Sequence, residues 1–104
     1  MKKPILNVAI ATGILAMTSS IAAAGPIQSA CLSSGRAASN NSLCSCIQQA
    51  ADMTLAGRDQ KRAAKFFRDP EMAHAVWTSK KPADDAFWTR YKAFGDMAQS
   101  YCGG

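Results

Sequence analysis

The sequence predicts an all-α fold, a small bundle of four or five short helices stapled by two disulfides. Three observations lead to this prediction. Apolar residues recur at intervals of three and four along much of the chain. No stretch combines a period of two with β-branched residues, as a strand would. Four cysteines lie in only 104 residues, and such a small chain gains stability from cross-links because it buries little apolar surface.

The N-terminal segment, residues 1–24, has the pattern of a cleaved signal peptide. Lys2 and Lys3 give it a positive start, and the stretch that follows, residues 5–17, is apolar and uncharged. Three alanines then precede Gly25, and such small residues suit signal peptidase, so cleavage is expected before this glycine. The apolar run is also shorter than the roughly 20 residues that span a bilayer.

The expected mature chain, residues 25–104, is a single disulfide-stapled helical domain in the periplasm or outside the cell, with no stable membrane insertion. Without the two lysines of the leader, ten of the 12 basic residues remain against seven acidic ones, so the net charge falls from +5 to +3. This charge supports solubility and does not indicate a nucleic-acid partner. We expect a monomer.

The first half of the mature chain predicts two helices separated by a polar loop. Pro26 suits the first turn of a helix, and Gly35 suits its end because glycine readily adopts the left-handed conformation found there. Asn41 or Ser42 then caps a second helix over about 42–56. Its apolar stripe contains Leu43, Cys46, Ile47, Ala50, Ala51 and Leu55, and the polar residues outside the stripe are Gln48, Gln49 and Asp52.

A third helix with one basic face is predicted over about 59–68, where Gly57 ends the preceding helix and Asp59 caps the new one. Basic residues recur here at intervals of three and four and therefore share one side. Such a side is usually a solvated surface, but it also suits an anionic partner such as an acidic protein or a lipid head group. The basic face comprises Arg58, Lys61, Arg62, Lys65 and Arg68.

A short fourth helix is predicted over about 70–78, with Asp69 as its cap and Pro70 at its first position. His74, the single histidine of the sequence, lies in this helix between apolar neighbours, where a structural or exposed role is expected. Nothing in the sequence supplies the activated nucleophile and ordered base of a catalytic site. We therefore expect a protein that is not an enzyme.

The strongest helical pattern of the sequence runs over about 83–101. Asp84 and Asp85 near its start suit the positive end of the helix dipole better than they suit a catalytic pair of acids. The aromatic residues of this helix form a stripe that is expected in the core, whereas exposure of either tryptophan of the sequence would indicate a binding groove. The stripe comprises Phe87, Trp88, Tyr91, Phe94 and Tyr101.

Four cysteines in an exported chain of this size predict two disulfides, for which three pairings exist. Residues two apart on a helix point about 200° apart, so Cys44 and Cys46 face different neighbours and do not bond to each other. Because Cys46 shares the apolar stripe, we prefer Cys46 with Cys102 and Cys31 with Cys44. The crossed pairing, Cys31 with Cys46 and Cys44 with Cys102, stays open.

A metal site is the alternative use of the same four residues, Cys31, Cys44, Cys46 and Cys102. Four thiolates hold zinc or copper(I) well. The Cys-x-Cys spacing differs, however, from the Cys-x-x-Cys of structural zinc sites, and oxidising compartments favour disulfides. We therefore expect no metal and no other cofactor, with a periplasmic zinc or copper thiolate carrier as the alternative function.

Three stretches together resemble a family of short exported bacterial proteins with four cysteines that automatic naming often calls "arginine transporter". The likeness covers most of the mature chain and includes Cys31 and Cys102. It implies an accessory or solute-binding component linked to the transport of arginine or other amino acids, since transport itself needs spanning segments. The resemblance supplies no catalytic residues. The three stretches are LCSCIQQ at 43–49, DQKRAAKFFRDP at 59–70 and FWTRYKAFG at 87–95.

The function that the sequence favours is that of a small periplasmic helical protein with a binding or protein-interaction role. The expected partner is a protein or another anionic molecule, and the basic face of the third helix is its expected contact.

Overall fold

The computed structural model of the chain describes residues 25–36 and 39–103, and the regular structure within these ranges is entirely helical. The all-α prediction is therefore confirmed. The predicted signal peptide, residues 1–24, lies outside the described residues. Five helices follow one another through short connections: α1 is Pro26–Ser33, α2 is Asn41–Thr54, α3 is Gly57–Arg68, α4 is Pro70–Thr78 and α5 is Pro82–Cys102.

Local chemistry sets most of the helix ends. Gly35 has a φ of 73° just beyond α1, the left-handed conformation predicted for it. Asn40, one residue before the predicted caps, accepts a hydrogen bond from the backbone N–H of Leu43 at 2.8 Å and so caps α2. Asp69 caps α4 through the N–H of Glu71, as predicted.

The boundary between α2 and α3 differs from the prediction. Leu55, at the end of α2, has extended backbone and is buried, so the chain turns there to bury an apolar side chain. Gly57 consequently begins α3 and does not end α2. Asp59 lies inside the first turn of α3, where its carboxylate bonds to Arg90 and does not cap the helix.

The core lies where α1, α2, α3 and α5 meet, and α4 adds Val76 to it. Phe66 of α3 is central, since its ring meets those of Phe87 and Tyr91 edge to face, with centroids 6.0 and 5.1 Å apart. Such pairs add to the stabilisation that burial gives. The buried members of the core are Ile27, Ala50, Ala51, Leu55, Ala63, Phe66, Val76, Phe87 and Phe94.

The aromatic stripe of α5 is only partly in the core. Phe87 and Phe94 are buried, and Trp88 and Tyr91 are half-buried against them. Tyr101 is 65% exposed, so its assignment to the core was wrong. The next residue, Cys102, occupies the side of α5 that faces α2. Because adjacent residues on a helix point about 100° apart, Tyr101 is turned away from that side and towards solvent.

Two disulfides hold α2 on two sides. Cys31 bonds to Cys44, with Cα atoms 5.6 Å apart, and joins α1 to α2. Cys46 bonds to Cys102, with Cα atoms 5.7 Å apart, and joins α2 to the end of α5. This is the pairing that the sequence favoured, and the crossed pairing does not form. Because the two cysteines of α2 point to different sides of the helix, α2 is bonded covalently to both α1 and α5.

Candidate functional site

The charged side chains of α3 lie on two different sides of the helix, and the side that faces α1 forms the candidate site. Asp59 and Arg62 turn towards α5 and pair with charges there. Lys61, Lys65 and Arg68 turn towards α1 and are exposed. The predicted basic face therefore splits.

Arg62 does not belong to the basic face, which corrects the prediction. Its Nη2 donates a hydrogen bond to Oδ1 of Asp84 at 2.7 Å, and its guanidinium lies over the ring of Phe87, 4.6 Å from the centroid. Both partners are on α5. Arg62 points about 100° from Lys61 around the helix, and the nearby carboxylate and aromatic ring hold it there.

A second ion pair joins α3 to α5 further along. Arg90 donates two hydrogen bonds to Asp59, Nε to Oδ2 at 2.6 Å and Nη2 to Oδ1 at 3.2 Å. These hydrogen bonds lower the pKa of Asp59. The pKa of Asp84 is lowered too, first by the hydrogen bond from Ser79 and then by that from Arg62. Asp84 lies in the first turn of α5, as predicted, and its carboxylate also binds these two side chains.

The cations that remain on the other side of α3 line a groove between α1 and α3. This α1–α3 groove has a volume of about 290 Å³. Lys61, Lys65 and Arg68 form its charged wall, and none of the three makes an ion pair with any residue that the structure describes. Arg58 is exposed one turn away but does not line the groove. The opposite side and the floor consist of Pro26, Ser29, Ala30, Ser33 and Ala64.

The position of α1 against α3 is fixed by a buried glutamine of α2. Gln48 Oε1 accepts hydrogen bonds from the backbone N–H groups of Ile27 and Gln28, each at 2.9 Å, and thus caps α1. Its Nε2 donates to Gln60 Oε1 of α3 at 2.7 Å and to Asp52 Oδ1 at 2.8 Å. One side chain therefore connects three helices.

Gln48 was predicted to lie outside the apolar stripe, yet it is only 7% exposed. Sequence patterns assign polar residues to the surface, and a glutamine that satisfies buried N–H groups of a distant helix leaves no periodic signal. At the other end of α1, the guanidinium of Arg36 lies over the ring of Phe67, 5.9 Å from the centroid. The groove is thus held at both ends.

The four cysteines, Cys31, Cys44, Cys46 and Cys102, are all in disulfides. A disulfide sulfur is not a thiolate, so the metal site considered from the sequence requires a reduced form of the protein. Within residues 25–36 and 39–103, no group of three or more His, Cys, Asp or Glu side chains is placed to hold a metal ion. Of the helices in these same ranges, none is long and apolar enough to cross a membrane.

The two remaining residues of interest lie on α4. Trp77 is 60% exposed, and the ring of His74 meets it edge to face at 5.6 Å. His74 itself is exposed. An exposed tryptophan was the observation expected of a binding groove. A second groove does lie beside α4, on the α5 side of α3, but Trp77 is not among the residues that line it.

Comparison of the chain with protein-family models, with curated proteins and with solved structures finds no significant match. The resemblance to the exported four-cysteine family therefore remains a prediction.

Proposed function

We propose that this protein is an exported, non-catalytic binding module that takes an acidic segment of a partner protein into the α1–α3 groove. The observation that carries the proposal is the row of cations Lys61, Lys65 and Arg68 along one wall of a groove, without acidic partners among the described residues. The two acids Asp59 and Asp84 lie at the contact between α3 and α5, outside this groove, and are already bonded to Arg90 and Arg62. The groove thus presents positive charge that an external anion would neutralise.

The spacing of these cations suits an extended peptide. With a helical rise of 1.5 Å per residue, Lys61 and Lys65 are about 6 Å apart along the axis, and Arg68 is about 4.5 Å further. Side chains on one side of an extended segment repeat every ~7 Å. Long Lys and Arg side chains cover the small difference. We therefore expect acidic residues at alternate positions of the bound segment.

A protein partner fits this surface better than a lipid surface does. A membrane-bound amphipathic helix inserts its apolar side into the lipid, whereas the apolar side of α3 is already buried in the core through Ala63 and Phe66. The cations also line a concave groove, which admits a chain more readily than a flat layer of head groups.

The compartment is the second part of the proposal. Two disulfides are typical of a non-reducing environment, and the leader pattern of residues 1–24 supports export to the periplasm or beyond. The alternative thiolate carrier predicts stoichiometric zinc or copper and four free thiols in protein purified from the periplasm. The binding module predicts four oxidised cysteines and no bound metal.

Affinity capture from periplasmic extract tests the proposal when three forms of the mature protein are compared. The double substitution Lys61→Glu with Lys65→Glu reverses the charge at these two positions of the groove wall. The control, Lys80→Glu with Lys92→Glu, makes the same change in charge at exposed positions outside the groove. We expect the wild type and the control to retain the same acidic protein and the groove variant to lose it. Equal retention by all three forms, or binding only to phosphatidylglycerol vesicles, would contradict the proposal.

A further inference from the structure

We propose a second binding site, in a groove bounded by α3, α4 and α5, for a small molecule that joins a carboxylate to an apolar chain or ring. This α4 groove has a volume of about 360 Å³, at the lower end of the ~300–1,000 Å³ typical of small-molecule sites. It lies on the side of α3 away from the α1–α3 groove and is independent of the proposed function. Its lining divides into an apolar wall and a positively charged edge.

The apolar wall comes from α3 and α4. Phe66 and Val76, 6% and 8% exposed, form its base. Met72 stands beside them and is 38% exposed, so it offers a flexible thioether surface that adapts to ligands of different shape. A ligand without an apolar body would leave this wall in water.

The charged edge carries two cations, Arg62 and Lys81, against one carboxylate, Asp84. Both oxygens of Asp84 are occupied, Oδ1 by Arg62 at 2.7 Å and Oδ2 by the hydroxyl of Ser79 at 2.6 Å. Arg62 uses one of its five N–H groups in that bond and is 38% exposed. The ammonium of Lys81 makes no ion pair with the described part of the chain. The edge therefore has an excess of positive charge, which favours a carboxylate, whereas an amine would be repelled by two cations and would compete with Arg62 and Ser79 for Asp84.

Arg62 is also held in place before a ligand arrives. Its guanidinium is fixed by Asp84 on one side and by the ring of Phe87 beneath it, 4.6 Å from the centroid. A side chain that is already ordered loses little conformational entropy on binding, and its planar fork matches a carboxylate. The same chemistry occurs in a free fatty or aryl acid and in the C-terminal residue of a peptide with an apolar side chain.

Titration of the mature protein with octanoate, followed by ¹⁵N–¹H chemical shifts and calorimetry, tests this site. A tripeptide that ends in a free leucine carboxylate forms the second arm, and octanamide and the tripeptide amide are the uncharged controls. We expect saturable binding with a Kd in the millimolar range or tighter, with shifts at Met72, Val76 and Lys81. Binding of octanoate alone assigns free acids as the ligand, and binding of the tripeptide alone assigns peptide C-termini.

Two variants and a matched control make the test decisive. Lys81→Ala should weaken carboxylate binding about 3- to 10-fold, whereas Lys80→Ala, its exposed neighbour outside the groove, should not change it. Ala75→Trp fills the groove from an exposed position on α4 and should abolish binding. Equal affinity for acid and amide, shifts outside the α4 groove, or no saturable binding of either carboxylate would overturn the proposal.

Discussion

At the scale of single residues, the structure depends on a polar side chain whose role the sequence does not reveal. Gln48 is buried, and its Oε1 and Nε2 atoms are both hydrogen-bonded: Oε1 to two N–H groups of α1, Nε2 to Gln60 and Asp52. A buried polar network stabilises only when its members are satisfied. Gly25 packs so closely that a Cβ there would lie 2.5 Å from Gln48 Cδ. The start of α1 is therefore specified by contact with this one glutamine.

Replacement of Gln48 by alanine should lower the free energy of unfolding by roughly 2–3 kcal/mol, because the N–H groups of Ile27 and Gln28 lose their buried acceptor. Urea denaturation followed by circular dichroism measures the change. Gln49→Ala is the matched control, since Gln49 is the exposed neighbour in the same helix. Equal unfolding midpoints for the two variants would show that the hydrogen-bond network of Gln48 does not contribute to stability.

At the scale of helices, periodicity predicted the five elements well and their charged sides less well. The pattern located α4 and α5 almost to the residue, because Asp69 and Pro70 act locally on the chain that carries them. Arg62 and Tyr101 were misplaced for a different reason. In both cases a residue on another helix decides which side of the helix faces the core. Arg62 turns towards Asp84 of α5. Cys102 is held towards α2 by its bond to Cys46, and this leaves the adjacent Tyr101 exposed. Spacing alone does not contain that information.

The two ion pairs between α3 and α5 make stability sensitive to acid. The pKa values of Asp59 and Asp84 are lowered in the folded state, mainly by hydrogen bonds from Arg90 and from Ser79 and Arg62. The ionised carboxylates therefore stabilise the folded state above their ordinary pKa of 3.8. This stabilisation is lost as the pH falls through the lowered pKa values of the folded state. The melting temperature should thus fall more steeply below about pH 4 in the wild type than in Asp59→Asn with Asp84→Asn. Parallel curves from pH 7 to pH 2 would contradict this assignment.

At the scale of the whole molecule, the fold is a bundle whose ends are tied through α2. The sequence predicted both disulfides from the expected export, the chain length and the opposed directions of Cys44 and Cys46 on one helix. The two bonds differ in exposure, since Cys31 and Cys44 are buried while Cys46 and Cys102 are half-buried. They also close loops of different length, with sequence separations of 13 and 56.

Mild reduction should therefore open the bond between Cys46 and Cys102 first. Loss of this long loop should lower the free energy of unfolding by about 4 kcal/mol, compared with about 3 kcal/mol for the short loop, on the chain-entropy model. Alkylation during a dithiothreitol time course, read by peptide mass spectrometry, gives the order. Earlier labelling of Cys31 and Cys44 would contradict the burial seen in the structure.

The binding role depends on the unpaired cations of the α1–α3 groove, and peptide binding tests it most directly. A fluorescent extended peptide with glutamates at alternate positions is titrated into wild type, Lys61→Glu with Lys65→Glu, and the matched control Lys80→Glu with Lys92→Glu. Fluorescence anisotropy should show binding to wild type and control that weakens as salt screens the charges, and at least ~10-fold weaker binding to the groove variant. Equal affinity of all three forms, or an equal loss in both variants, would contradict a role for this groove.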